Sequence, residues 1–392
     1  MDSAHVIVLV LAWLMAAAWV YKLLEAAWGL STVPNLLAPE YDVTPASPPS
    51  LTVIVPARDE QANIAACLES LLAQDVTNLH ILAVDDRSSD QTGVIMDTLA
   101  RAHPDRLEVL HVTNLPAGWL GKTHAMALAA RHAIATHNPE YLLFTDGDIL
   151  FRRDAIRRAL AGAAATQADH FVVLPTTLVK THGEGMLMSY IQTMSLWAVR
   201  PWRVPDPSAK RDAIGVGAFN LIRTQAYQQL GGFDATPMEV LEDLTLGRRV
   251  KRAGLRQRVA YAPGLVCVHW AAGAFGIVHG MTKNLFAVFR FRPAMLLAAA
   301  VSVAAVTAGT VGLVFVHATR IPALIMLGSI AGLYFLSSRT SRISPAYFVL
   351  FPIGASLVVY SMLRSMLLTV LRGGVVWRGT FYPLDELRKH TQ

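Results

Sequence analysis

Asp146-Gly147-Asp148 puts two carboxylates two residues apart, directly after the apolar run Tyr141-Leu142-Leu143-Phe144. Carboxylate oxygens suit hard divalent cations such as Mg2+ or Mn2+, which are often shared between one or two acids and a phosphorylated substrate. A stretch of Asp and Gly also reads as a plain turn. Three more groups carry the same double reading. Asp85-Asp86 can accept hydrogen bonds from a ribose or a base, or, with Ser88 and Asp90, open the next helix. Lys122, after Gly118 and Gly121, stands where helix N–H groups and an ammonium meet phosphate, or is a solvated lysine after a glycine turn. Its glycine spacing is not that of a nucleotide-hydrolase phosphate loop. Glu242-Asp243 offers a carboxylate for proton abstraction, or favourable charge at a helix start.

These groups need a frame. Residues 51–55, 80–84, 107–111 and 141–144 are short, apolar runs that read as buried strands, the first ended by Pro56. Residues 63–72, 88–99 and 123–135 carry helical signals between them; in the first, Ile64, Leu68, Leu71 and Leu72 share a face. Alternation of this kind predicts an α/β domain with a mainly parallel sheet and helices on both faces. Ligands of such sheets bind beyond the carboxyl ends of the strands. Arg58-Asp59-Glu60, Asp85-Asp86 and Asp146 with Asp148 all fall there, so three strands deliver acidic groups to one rim.

The chain has 392 residues, 53% hydrophobic and 16% charged, with a net charge of +6. The apolar excess lies at the two ends. Residues 4–24 are apolar as far as Lys22 and long enough to span a bilayer. Asp2 replaces the positive start of a signal peptide, so this run reads as an uncleaved anchor with its N-terminus outside and the next domain inside. Residues 294–316, 323–337 and 347–371 supply about three more spans, the third of which either crosses, bends at Pro352 or lies partly in the interface. Three crossings would leave the tail outside, whereas its Arg372, Arg378, Arg388 and Lys389 favour the inside. The expected division is anchor 1–30, linker 31–50, catalytic domain 51–270, amphipathic interface segment 271–292, membrane segments 293–371 and tail 372–392. Residues 185–204 and 275–291, rich in Met and aromatics, read either as core helices or as helices lying on the membrane surface. Scattered Arg and Lys argue against a nucleic-acid partner. Cys67 and Cys267 make no disulfide framework. None of the 13 histidines pairs with another at metal-ligand spacing, so His124, His269 and His279 read as packing or surface groups.

In order along the chain, Val-Pro-Ala-Arg-Asp-Glu (55–60), Val-Asp-Asp-Arg-Ser-Ser-Asp-Gln-Thr (84–92), Gly-Lys-Thr-His-Ala (121–125), Thr-Asp-Gly-Asp (145–148), Gly-Ala-Phe-Asn-Leu-Ile-Arg (217–223) with Gly-Gly-Phe (231–233), and Leu-Glu-Asp-Leu (241–244) resemble family-2 glycosyltransferases of the GT-A fold. The resemblance covers roughly residues 50–265 and implies roles. Pro56, Arg58 and Glu60 match the first nucleotide-contacting loop. Asp86, with Asp85, matches the carboxylate that holds base or ribose. Lys122 faces the nucleotide, and Asp146 and Asp148 match the metal and diphosphate site, implying Mg2+ or Mn2+. Asp243, with Glu242 beside it, matches the general base of an inverting displacement. Anchor, C-terminal spans and the tail Trp377-Arg378-Gly379 with Tyr382 resemble the lipid-acceptor branch, which includes ceramide glucosyltransferase-like, hopanoid-associated and carotenoid enzymes. One departure is clear: the Gln/Arg-x-x-Arg-Trp of polymerising and ceramide-type members is missing from residues 280–290, where Lys283 and Arg290 are the available cations. The resemblance implies an integral protein of the cell (inner) membrane with a cytoplasmic catalytic domain. It would move sugar from a nucleotide-sugar donor to a lipid or other membrane-associated acceptor. A polysaccharide or polyprenyl-phosphate enzyme, and an inactive membrane scaffold, are the alternatives; intact Asp146, Asp148 and Asp243 argue against the scaffold.

Overall fold

The structure, a computed structural model, describes residues 3–44 and 47–390. Asp2, used above for orientation, and Pro45 and Ala46 of the linker lie outside the described residues. The chain divides into two compact units, one of residues 33–178, 203–269 and 373–392, the other of residues 1–32, 179–202 and 270–372.

The first unit is built on a seven-stranded sheet of β1 (Leu51–Ala57), β2 (Leu79–Asp86), β3 (Leu107–Val112), β4 (Tyr141–Phe144), β5 (His170–Leu174), β6 (Asn220–Arg223) and β7 (Gln257–Tyr261), in the order β3-β2-β1-β4-β6-β5-β7. All neighbours are parallel except those of β6, which runs antiparallel to β4 and β5. The α/β class with a mainly parallel sheet is therefore as the sequence predicts. Helices α1 (Ile64–Leu72), α2 (Thr92–Ala102), α3 (Gly121–Thr136), α4 (Ala155–Ala165), α5 (Thr224–Gln229) and α6 (Glu242–Arg252) surround it. Side chains alternate across β1: Val53 and Val55 pack with Ile64, Leu68 and Leu71 of α1, and Ile54 packs with α3. Ala125, Ala129, Ala130 and Ala133 line the buried side of α3. Met126 is the long side chain among them, and the methyl groups at the other positions let the helix pack close to the sheet.

Pro56 does not end β1, as the sequence suggested. It pairs in register with Val84 of β2, while the ladder to β4 stops at Ile54 opposite Phe144. Past that ladder, among the described residues, no strand neighbour on the β4 side calls for the missing N–H.

The second unit holds helices long and apolar enough to cross a membrane: His5–Ser31, Pro293–Phe315, His317–Ser341 and Pro345–Arg372. Leu14, Trp28, Phe315, Ile321 and Val349 are exposed on them. Pro322 falls in the first turn of the helix Arg320–Ser341, and Pro352 in the first turn of Phe351–Arg372, where proline costs no helical hydrogen bond. Pro352 makes no bend: the third run opens with a 3-10 segment, Pro345–Leu350, that leads into that helix. Lys22 is buried, with its Nζ 3.0 Å from Glu25 and over the Trp197 and Trp202 rings at 5.5 and 5.2 Å.

One buried polar chain ties the sheet to the loop before β6. His170 is fully buried; its Nε2–H donates to Asn220 Oδ1 at 3.1 Å, and its Nδ1 accepts from Gln257 Nε2 at 3.0 Å. The two Nε2 hydrogens of Gln257 also face Ile214 O at 2.8 Å and Gly247 O at 3.1 Å, so one of them is shared between two acceptors. Burial pushes the His170 imidazole down to about 4, with the Asn220 bond opposing. The folded state therefore keeps it neutral where an unfolded histidine would charge, near pH 6.5. Its contribution is whole above that pH and is lost as pH falls towards about 4. Unfolding measured across that window should show His170→Leu flattening the acid slope by about 3 kcal/mol relative to the parent; equal slopes would contradict the neutral buried imidazole.

Candidate active site

Beyond the carboxyl ends of β1, β2 and β4 lies a cleft lined by Lys122, Asp146, Gly217, Asn220, Glu242 and Asp243 among others. The segment after β4 is pinned on both sides. Thr145 N–H donates to Ile54 O at 3.1 Å, Thr145 Oγ1 to Ala218 O at 2.8 Å, and Asp146 N–H to Gly217 O at 3.0 Å. A Cβ on Gly217 would stand 2.5 Å from Asp146 Oδ2, so only glycine leaves the carboxylate this position. Lys122, the second residue of α3, reaches Asp146 Oδ1 at 2.5 Å and Glu242 Oε1 at 2.6 Å. Glu242 and Asp243 open α6, where acids meet the free N–H groups of the first turn. The preceding loop lies flat against that turn: a Cβ on Gly215 would fall 1.8 Å from Asp243 O.

Charge is unevenly shared. Burial would depress the Lys122 ammonium, but Asp146, Glu242 and Asp243 outweigh it and hold the group well above the usual lysine range. Glu242 is spent on that pair. Burial, then the neighbouring Glu242, drive the Asp243 carboxyl well above the usual carboxylate range. Burial, Asp146 and Glu60 push Asp148 up to about 6. Carboxylates destabilised in this way favour a bound cation. Among the described residues, no third carboxylate or imidazole converges with Asp146 and Asp148 to complete a metal cage. A hard cation held by the two acids would draw its remaining oxygens from a diphosphate and water, as Mg2+ characteristically does.

The other residues singled out by sequence part company. Asp85 and Asp86 are adjacent in a strand and point to opposite faces. Asp86 is buried and takes the Arg87 guanidinium fork at 2.8 and 3.1 Å, beside Gly121. Asp85 instead accepts from Ser88 N–H at 3.1 Å and meets His111 Nδ1 at 3.1 Å, against Gly93 of α2. Arg58 and Glu60 are covered by the tail. Strands β8 (Gly374–Trp377) and β9 (Thr380–Pro383) form a hairpin whose two-residue turn, Arg378-Gly379, has positive φ at both positions, +47° and +74°. Such a turn matches the strand twist and favours Gly second. It presents Arg378 to Glu60 as an ion pair and to Asp59 O at 3.2 Å. Thr380 accepts from Arg58 at 3.0 Å, and the Tyr382 hydroxyl accepts the Gly121 N–H at 3.2 Å. Pro56, in β1, holds the strand end that carries this loop. Sequence reasoning found the Trp377-Arg378-Gly379 motif but not its target, and it did not single out Gly215 or Gln257.

Residues 48–290 match the family described as "Glycosyltransferase like family 2". A 4,4'-diaponeurosporenoate glycosyltransferase of Staphylococcus aureus (strain MRSA252) is 24% identical over 240 residues, 60% of this chain and 60% of that protein. The protein of the same name from Staphylococcus haemolyticus (strain JCSC1435) is 24% identical over 248 residues, 60% of this chain and 61% of that one. The chain thus spans about 60% of the length of the curated relatives it matches. The solved structure of the mannosyltransferase PcManGT from Pyrobaculum calidifontis, in complex with GDP-Man and Mn2+, superposes with a TM-score of 0.54 at 19% identity, covering 91% of this chain and 98% of that one. Family and fold together make this a GT-A-like α/β domain.

Thermal shift with Mn2+ tests the charge arrangement. Below about 6 Asp148 keeps a proton that a cation must displace. The stabilisation should therefore be larger at about pH 7.5 than at about pH 5.5, and Asp148→Asn should remove most of it along with its pH dependence. An undiminished shift in Asp148→Asn would show that the cation binds elsewhere.

Proposed function

The chain belongs to glycosyltransferase family 2, and from that premise we propose that it transfers a hexose from a nucleotide-diphosphate sugar to a membrane-borne hydroxyl, with inversion at the anomeric carbon. The observation that carries the mechanism is the split between two adjacent acids. Lys122 bonds Glu242 and leaves Asp243 raised and basic. A base matched to the working pH takes a proton most effectively. Asp243 removes the acceptor hydroxyl proton as the oxygen attacks the anomeric carbon, and the nucleoside diphosphate departs from the opposite face. One displacement needs one base, unlike the carboxylate pair of a double displacement.

Asp146 and Asp148 are the residues that would hold Mg2+ or Mn2+, which when bound offsets the charge on the departing diphosphate. Lys122 orients Asp146 and Glu242 and adds positive charge at the start of α3. Asp86 accepts hydrogen bonds from base or ribose once Arg87 turns from it, while Asp85 supports the loop through Ser88 and His111. Pro56, Arg58 and Glu60 form the wall towards the nucleotide, closed over by the tail hairpin.

The acceptor is proposed to be a lipid or another molecule held in the membrane. The name of the matched relatives and this chain's own long apolar helices support that reading. We place the catalytic unit on the cytoplasmic side of the cell membrane, in the domain division given above. The tail bears on the count of crossings. Arg378 and Tyr382 bond to Glu60 and to Gly121, so the tail shares the catalytic unit's side. Three complete crossings between residues 293 and 372 would separate them, so one of those three helices re-enters or lies in the interface rather than crossing.

Asp243→Asn keeps the size and hydrogen-bonding reach of the side chain but not the base. It should lower kcat by roughly 10²–10⁴-fold while leaving nucleotide-sugar binding, measured by calorimetry, within a factor of about 3. Parallel loss of both would assign Asp243 to binding instead.

A further inference from the structure

At the end of the sheet opposite the cleft, four side chains from three elements meet. His80 stands near the start of β2, Glu108 near the start of β3, His132 in the last turns of α3, and His137 caps that helix. His132 and His137 are five residues apart, a His-x4-His spacing within the usual range for metal ligands that the reading of the sequence above missed, whereas His80 and Glu108 are distant from them and from each other. The ligand atoms of His80, Glu108 and His137 all lie within 4.8 Å of one another. His80 Nε2 and His137 Nε2 are each 3.5 Å from the same carboxylate oxygen, Glu108 Oε2. The two imidazoles face each other with centroids 4.1 Å apart. Glu108 Oε1, the other oxygen, is held by His132 Nε2 at 2.7 Å.

We propose that His80, Glu108 and His137 bind a zinc-class divalent metal, with His132 fixing the free oxygen of Glu108 and water completing the shell.

Four ligands at about 2.0–2.1 Å around a tetrahedral zinc stand about 3.4 Å apart. The two 3.5 Å separations already have that edge length, too long for a good hydrogen bond and right for two ligands on one ion. Second, His80 Nε2 is buried without a hydrogen-bond partner. An imidazole nitrogen taken out of water and left unpaired is costly, and a metal bond would satisfy it. Third, two imidazoles and one carboxylate form a borderline nitrogen-rich set that suits zinc; the hard, all-oxygen pair Asp146 and Asp148 suits Mg2+ or Mn2+. Fourth, a carboxylate ligand whose second oxygen is held by a neighbour is the usual support for a metal site, and here that neighbour is His132. Finally, the site lies at the carbonyl end of α3, where the helix favours positive charge.

The role is structural. α3 carries Lys122 in its first turn and His137 at its far cap, about 22 Å away along the helix. A metal there would clamp the end of α3 to β2 and β3 and so hold the helix that positions Lys122.

The test uses the tag-free, full-length chain in detergent, stripped with EDTA and titrated with Zn2+ by calorimetry, and with Co2+ by visible absorption. Parent and Asp148→Ala should each take one Zn2+ at the new site and show the intense bands of four-coordinate Co2+. His137→Gln, an exposed cap residue whose change leaves the core intact, should weaken binding by more than about 100-fold and abolish the bands; His132→Ala should cost about 10–100-fold, the usual effect of losing a ligand's supporting partner. His80→Asn should behave as His137→Gln does. Zinc binding that vanishes in Asp148→Ala, or that is unchanged in His137→Gln, or no zinc binding at all, would overturn the proposal.

Discussion

Lys122 stands between Asp146 at the end of β4 and Glu242 at the start of α6, within 2.6 Å of each. A buried ammonium is tolerated only when carboxylates surround it, and buried carboxylates only when a cation answers them. That mutual requirement sets the positions of three elements at once. It also divides labour between two neighbouring acids: Glu242 neutralises Lys122, and the carboxyl of Asp243, half-buried beside it, is held well above the usual carboxylate range. Asp148, raised for a similar reason, is the complementary half of the arrangement, a carboxylate short of positive charge.

The fold brings these groups together through close approaches that no larger residue permits. Gly217 leaves room for the Asp146 carboxylate, and Gly215 lets the preceding loop lie on the first turn of α6. Gln257 fastens that loop to the sheet and to α6 while sharing His170 with Asn220. Small side chains on α3 let the helix sit low on the sheet, which carries Lys122 inward. The tail then closes the opposite wall, its Arg378-Gly379 turn reaching back to a loop more than 300 residues earlier.

Much of this was legible in the sequence. β-branched runs and helical spacing give the alternation, the alternation gives a parallel sheet, and the sheet puts Asp59-Glu60, Asp85-Asp86 and Asp146-Asp148 on one rim. The less visible parts share a cause: they depend on which residues meet from far apart. Nothing local in Glu242 says that it will bond Lys122, and nothing in Arg378 names Glu60. His80 and Glu108 look unrelated to the His132 and His137 pair until the register of β2 beside β3 and the length of α3 gather them. The opposite directions of Asp85 and Asp86 follow from strand period alone, and a reading that extended β2 by two residues would have separated them. Pro56 misled for the complementary reason, since a proline's effect in a strand depends on whether a neighbour needs its N–H, and that is fixed only by the length of the β4 ladder.

The central claim is that this rim binds a nucleotide-sugar through a cation on Asp146 and Asp148 and turns it over. Nucleotide release from a panel of UDP- and GDP-sugars, with membrane lipid extract and detergent-solubilised protein, measures it most directly. The account predicts release from one donor in Mn2+ or Mg2+, accompanied by a new glycosylated lipid, and loss of both in EDTA and in Asp148→Ala. Release that persists in EDTA and in Asp148→Ala, or no release and no binding with any donor, would contradict it.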